Sequence, residues 1–79
     1  MVMTHDRIEV NPKVMVGKPV IRGTRIPVEL ILRKLGEGAA EEDILDGYPH
    51  LVKEDILAAI AYAADVIARE DVLVAPELD

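Results

Sequence analysis

Seventy-nine residues bound the protein before any motif is read: they make one domain, whose core is too small to leave much spare stability unless another surface is buried as well. No cysteine is present, which rules out a disulfide framework and a thiolate metal site, and two tyrosines are the whole aromatic content, which argues against a base-stacking platform. The net charge of -6 is unevenly split: residues 1–34 carry seven basic against three acidic side chains (net +4), and residues 35–79 carry two against twelve (net -10), so one end can meet an anion that the other repels.

The opening MVMTHDRIEV lacks the basic-then-apolar order of a secretory signal. The longest apolar stretch, residues 56–68, is interrupted by Asp65 and is too short to span a bilayer. The expectation is a soluble cytoplasmic protein with no membrane partner. Without repeats or low-complexity tracts, residues 1–79 read as a single domain.

In chain order, RIEV at residues 7–10 alternates polar and apolar side chains and predicts a short strand, stopped by Asn11-Pro12. PVIR and RIPV then flank Gly23-Thr24. A two-residue loop with glycine first predicts a type II′ hairpin, with a type II turn centred on Arg22-Gly23 as the alternative. Gly23, Thr24 and Pro27 are therefore the structural turn residues. Pro27 either closes the second strand or opens the following helix, where its missing N–H costs nothing.

From Val28 the period changes. Val28, Ile31, Leu32 and Leu35 recur at helical spacing, with Glu29, Arg33 and Lys34 on the wet side and Gly36 and Gly38 at the end. EEDILDGY predicts a shorter second helix, with three acids at the positive end of its dipole and Ile44, Leu45 and Tyr48 as its buried edge. A third helix is expected from about Val52 to Arg69. It is apolar on more than one side. Ile56, Ile60, Ala63 and Ile67 are assigned to the core, and Leu57, Ala61, Ala64 and Ala68 form a second stripe of mostly small residues. That stripe fits a partner subunit, or else the first two helices covering both sides. The tail from residue 71, VLVAPELD after Asp71, reads as a frayed end or as a segment that orders on a partner.

GKPVIRGTRIPV, then a helix, a glycine, EEDIL, YP and a long Ala-rich helix containing AYAA together resemble the domain-of-unknown-function family numbered 433. The resemblance covers about residues 7–70. It implies a mainly α fold, a three-helix homeodomain-like helix-turn-helix domain preceded by short β-strands or a hairpin. It further implies a VapB-type antitoxin that is a homodimer, with a PIN-type ribonuclease toxin as partner and promoter DNA as a second one. Two helix starts depart from the family pattern: Ala40 and Val52 stand where Ser and Thr tend to occur, each loss costing on the order of 1 kcal/mol of capping. Acids early in both helices offset part of it through the dipole.

Two binding chemistries are open. Entry of the third helix into a DNA groove would bring Glu54 and Asp55 against phosphates. Candidate DNA contacts are instead Lys18, Arg22, Arg25, Arg33 and Lys34, with the hairpin acting as a ribbon whose arginines fork onto guanine. The competing reading is that these charges only solvate a surface. Toxin binding would use the acidic helical half: Glu41, Glu42, Asp43, Asp46, Glu54 and Asp55. The candidate partner-binding stripe is Leu57, Ala61, Ala64 and Ala68.

No enzyme is expected. GKP at residues 17–19 lacks both the glycine five residues earlier and the hydroxyl residue that a Walker loop needs. His5 and His50 have no second ligand at metal spacing, His5 is assigned to solvent near the chain end and His50 to capping or packing, and Thr4 and Thr24 have no neighbouring base. Neither cofactor nor metal is expected. In the two-residue hairpin Arg22 and Arg25 would stand opposite each other, an arrangement that costs roughly 0.2–1 kcal/mol and calls for an anion: a phosphate, or Glu9 or Glu29.

Overall fold

The computed structural model describes residues 5–13 and 17–69. Strand β1 (Ile8–Glu9) pairs antiparallel with β2 (Val20–Ile21), Ile8 opposite Ile21 and Glu9 opposite Val20. Three helices follow: α1 (Val28–Gly36), α2 (Glu41–Gly47) and α3 (Lys53–Arg69). The fold is thus mainly helical, three helices behind a short two-stranded sheet, with α2 and α3 joined through residues 48–52. The predicted tail beyond residue 70 lies outside the described residues.

The turn between β2 and α1 differs from the first expectation and takes the alternative form. Thr24 N–H donates to the Ile21 carbonyl at 2.9 Å, closing a four-residue turn over residues 21–24, and Gly23 has φ +83° at its third position. That is a type II turn, whose third residue must be left-handed. The hydroxyl of Thr24 explains why it wins. It donates to the Ile21 carbonyl at 2.7 Å and accepts the Ile26 N–H at 3.0 Å, binding both sides of the loop. Ile21 N–H donates to the Ile26 carbonyl at 2.9 Å and Val20 bridges Pro27, so residues 22–25 form the loop and the two arginines are not a ladder pair. Pro27 takes the first of the two roles weighed for it: it makes the bridge and, with φ -70° and ψ 144°, is the extended N-cap before α1, whose first helical residue is Val28.

The helix ends follow from local chemistry. Gly38, at φ +97°, reverses the chain after α1 while Gly38 N–H bonds the Leu35 carbonyl and Ala39 N–H bonds that of Lys34, a Schellman arrangement. Both departures from good N-caps are met in the same way. Asp43 Oδ2 accepts the Ala40 N–H at 3.3 Å and Asp55 Oδ2 accepts the Val52 N–H at 3.1 Å, the returning half of a capping box made without its hydroxyl half.

The core is Ile8, Val20, Ile21, Val28, Ile31, Ile44, Leu51, Ile56 and Ala59. Leu32, Leu35, Leu45 and Tyr48 pack around it. α3 is rotated relative to its expected setting. Ile60 and Ile67 are 43% and 68% exposed, whereas Asp55 and Ala59 point inward beside Ile56. The cause is electrostatic: Asp55 is drawn in to cap its own helix and to receive Arg7, whose Nη1 donates to Oδ1 at 3.0 Å. Once Asp55 faces inward, the helical period turns Leu57, Ile60, Ala64 and Ile67 outward.

Candidate partner and anion interface

The five candidate DNA-contacting cations fall into different environments. Lys18 and Arg33 converge on one carboxylate, Glu29, at 3.4 and 2.8 Å. The Arg33 hydrogen bond, then that of Lys18, holds the Glu29 carboxyl below its ordinary value, and Glu29 in turn raises the Arg33 guanidinium. Arg22 turns back onto the main chain of the β1 region: Nε donates to the Asp6 carbonyl at 2.6 Å and Nη2 to that of Ile8 at 3.4 Å. Its guanidinium therefore meets carbonyl dipoles. Lys34 is half-buried on a wall of α1 shared with Ala39, Asp43 and Tyr48, rather than free in water as its helical position suggested. Arg25 is exposed and, among the described residues, has no ion pair.

Arg25 nevertheless stands in company. An open cleft of about 750 Å³ at the turn is lined by Arg22, Arg25 and Thr24 from the loop, Glu9 from β1 and His50 from the loop before α3. Two cations and an imidazole among its lining residues form an anion-attracting surface, tempered by the Glu9 carboxylate. His50 is exposed there, so its expected packing role does not hold. Of the two carboxylates weighed as partners for the arginine pair, Glu29 is taken by Lys18 and Arg33, and Glu9 shares the cleft.

The second candidate surface is α3. Leu57, Ala61, Ala64 and Ala68 are all exposed, so of the two arrangements weighed the first two helices do not cover them, and Ile60 and Ile67 widen the exposed face. Of the six exposed large apolar side chains among the described residues, Leu57, Ile60, Val66 and Ile67 belong to this helix and Val52 precedes it. Beside it, Leu32, Tyr62, Val66 and Ile67 border an apolar groove of about 210 Å³ between α1 and α3. The acidic surface loses one expected member, because Asp55 is only 6% exposed and bound to Arg7. Glu41 is half-buried, and Glu42, Asp43, Asp46 and Glu54 remain exposed.

Sequence reasoning missed two contacts that hold the chain start onto α3. One is Arg7–Asp55. The other is His5, assigned to solvent but half-buried in fact: Nε2 lies 2.8 Å from Asp65 Oδ2, with the ring edge-on to Tyr62 at 5.3 Å between centroids. A readable signal existed for Asp55, the third residue of a helix that lacks a hydroxyl cap; His5 and Asp65, 60 positions apart, offered none. Among the described residues no three His, Asp or Glu side chains gather as a metal site, and no helix is long and apolar enough to cross a membrane.

The chain belongs to the DUF433 family. The family model, described as "Protein of unknown function (DUF433)", matches residues 8–63. A crystal structure of a DUF433 member protein from Anabaena variabilis superposes with a TM-score of 0.73 at 37% identity, covering 76% of this chain and 59% of that one. Uncharacterized protein y4eO of Sinorhizobium fredii is 38% identical over 53 residues, 67% of this chain but 24% of that protein. An uncharacterized protein of Archaeoglobus fulgidus is 64% identical over 28 residues, 35% of this chain and 78% of that protein. This DUF433 chain therefore spans only a minor part of y4eO. The family match stops at residue 63, so the last turns of α3, with Ala64, Ile67, Ala68 and Arg69, lie beyond it.

Proposed function

We propose that the protein is a type II antitoxin: a cytoplasmic, non-enzymatic homodimer that binds a PIN-type ribonuclease toxin. The apolar face of α3, exposed among the described residues, is the observation that supports a protein-binding role. A chain of 79 residues gains stability by covering such a face, and the covered face defines an assembly. The toxin is suggested by the family resemblance together with the exposed acids Glu42, Asp43 and Asp46 on α2, which complement the basic surface that a ribonuclease presents to RNA.

Promoter DNA is the second proposed partner, and the cleft around Arg25, Arg22 and His50 is where it would be met. The competing reading is a protein-interaction module with no DNA role. The internal engagement of Lys18, Arg22 and Arg33 favours it, since only Arg25 among the candidate cations is both exposed and without a hydrogen-bonded partner among the described residues.

Co-expression with the adjacent reading frame tests the antitoxin reading. A stable complex that suppresses ribonuclease activity is expected, and failure to co-purify with either neighbour removes it. For DNA, retention of an upstream fragment should fall steeply with salt and be weakened by Arg25→Ala. Absence of retention, alone and with the toxin, leaves the interaction module.

A further inference from the structure

The exposed stripe of α3 has a pattern that specifies its occupant. Leu57, Ala61, Ala64 and Ala68 run along its centre, Ile60 and Ile67 along one flank, and Glu54 and Arg69 stand at the two ends of the opposite flank. Glu54 and Arg69 are exposed and, among the described residues, have no ion-pair partner.

We propose that α3 pairs antiparallel with α3 of a second copy, Leu57 against the partner's Ala68 and Ala61 against the partner's Ala64. The inference deepens the dimer within the antitoxin reading, and rests on that reading only for there being a protein partner. One register satisfies both pairings, because Leu57 precedes Ala61 by as many residues as Ala64 precedes Ala68. The bulky end of each stripe meets a small residue, and the alanine pair at the centre lets the helices approach closely. In that register Ile60 lies within about 3 Å, along the axis, of the partner's Ile67, at a rise of 1.5 Å per residue. Glu54 and the partner's Arg69 are offset by the same about 3 Å, within reach of an arginine side chain.

Charge selects the direction. In an antiparallel pair the same flanks meet, so Glu54 faces the partner's Arg69 at both ends. A parallel pair would bring opposite flanks together, so Glu54 would face the partner's flank of Lys53, Ile60 and Ile67, and Arg69 would find no carboxylate on that flank among the described residues. The helix dipoles also oppose in the antiparallel pair and align in the parallel one. A helix of 17 residues is about 25 Å long, so the seam is small by the standards of stable interfaces. The dimer is accordingly concentration-dependent, and a larger family-wide interface is not required, since half of the seam lies beyond the family match.

The absence of natural cysteine makes the test direct. Leu57→Cys and Ala68→Cys alter exposed positions. Mixed under oxidising conditions, the two variants should form a disulfide-linked pair. Each alone should not, because its two copies of the cysteine would lie about 16 Å apart along the axis, far beyond the roughly 4–7 Å between Cα atoms that a disulfide tolerates. Sedimentation equilibrium from low micromolar to near-millimolar concentration should show a monomer–dimer equilibrium. Glu54→Arg or Arg69→Glu alone should raise its dissociation constant several-fold, and the double exchange should restore it.

Cross-linking of Leu57→Cys alone as fast as the mixture would mean a parallel pair and overturn the proposal. So would a monomer over the whole range, or charge variants that leave association unchanged. If the monomer still co-purifies with the adjacent gene product, the pairing fails while the antitoxin reading stands; a cross-linked dimer with no such partner supports the pairing and removes the toxin.

Discussion

The two halves of the chain carry opposite charge, and the fold treats them differently. The basic half spends its cations internally: Arg7 on Asp55, Lys18 and Arg33 on Glu29, Arg22 on the carbonyls of Asp6 and Ile8. The acidic half keeps Glu42, Asp46 and Glu54 in water with no ion pair among the described residues. A formal charge map therefore overstates the cation available to a nucleic acid and states fairly the acid available to a basic partner. A guanidinium has five donors in a rigid fork and finds carboxylates and carbonyls within its own fold, whereas a carboxylate on a helix surface has few donors within reach.

The largest expected effect comes from breaking the link between the halves whose acid, Asp55, is buried. Asp55→Ala removes the acceptor for the Val52 N–H and for Arg7 together, and should lower the free energy of unfolding by about 2–3 kcal/mol, judged from a lost cap plus a lost charged hydrogen bond. Urea denaturation reads it directly. Asp55→Asn keeps an acceptor and should lose about half as much. Equal losses for the two would mean that the charge on Asp55, rather than its hydrogen bonds, holds α3 in its rotated setting.

Next is the turn. Gly23→Ala places a Cβ where φ is +83°, and should cost about 1–2 kcal/mol from the left-handed backbone alone, because nothing lies within 4 Å of the added atom. Thr24→Val, which keeps the shape and removes both hydroxyl bonds, should cost about 1 kcal/mol. A neutral Gly23→Ala would show that the loop relaxes to another turn type, and with it that the cleft beside Arg25 is adjustable.

Much of this architecture was legible in the sequence. The periods of α1 and α2, their glycine stops and the start of β1 are local properties, and they emerge within a residue or two of where the sequence placed them. The turn type was harder, since Gly-Thr supports two geometries and only the bonds of the Thr24 hydroxyl decide between them. The inward face of α3 was misassigned because the helix is apolar on several sides, so periodicity could not rank Ile60 against Ala59; a single buried acid settles it. For the candidate sites, the stripe of Leu57, Ala61, Ala64 and Ala68 was readable from residue size, but the fate of each arginine depends on partners distant in sequence, as with Arg22 and Asp6.

The arginines of the loop separate structure from binding at a finer scale. Arg22→Ala gives up the bonds to Asp6 and Ile8 and should cost about 1 kcal/mol of stability. Arg25→Ala should leave the denaturation midpoint unchanged and act only on anion retention. If Arg25→Ala destabilises as much as Arg22→Ala, Arg25 has an internal partner after all, and the basic half has no free cation at its tip.

The smallest effect belongs to Glu29, and its sign is fixed. Arg33 and then Lys18 hold its folded-state titration below the ordinary value of 4.5, so the pair's contribution to stability is present above that value and disappears as the pH falls through the lower folded one. Glu29→Gln should therefore lower the melting temperature slightly at neutral pH, and the gap from the unaltered protein should close on the acid side of 4.5. Salt should shrink it too, because Lys18, Arg33 and Glu29 are all exposed. The same substitution releases Lys18 and Arg33 from their carboxylate. If DNA retention rises in Glu29→Gln at low salt, internal pairing is what withholds the basic half from nucleic acid; if it does not, these cations face away from any DNA path, and the contrast between the halves is one of geometry as well as charge.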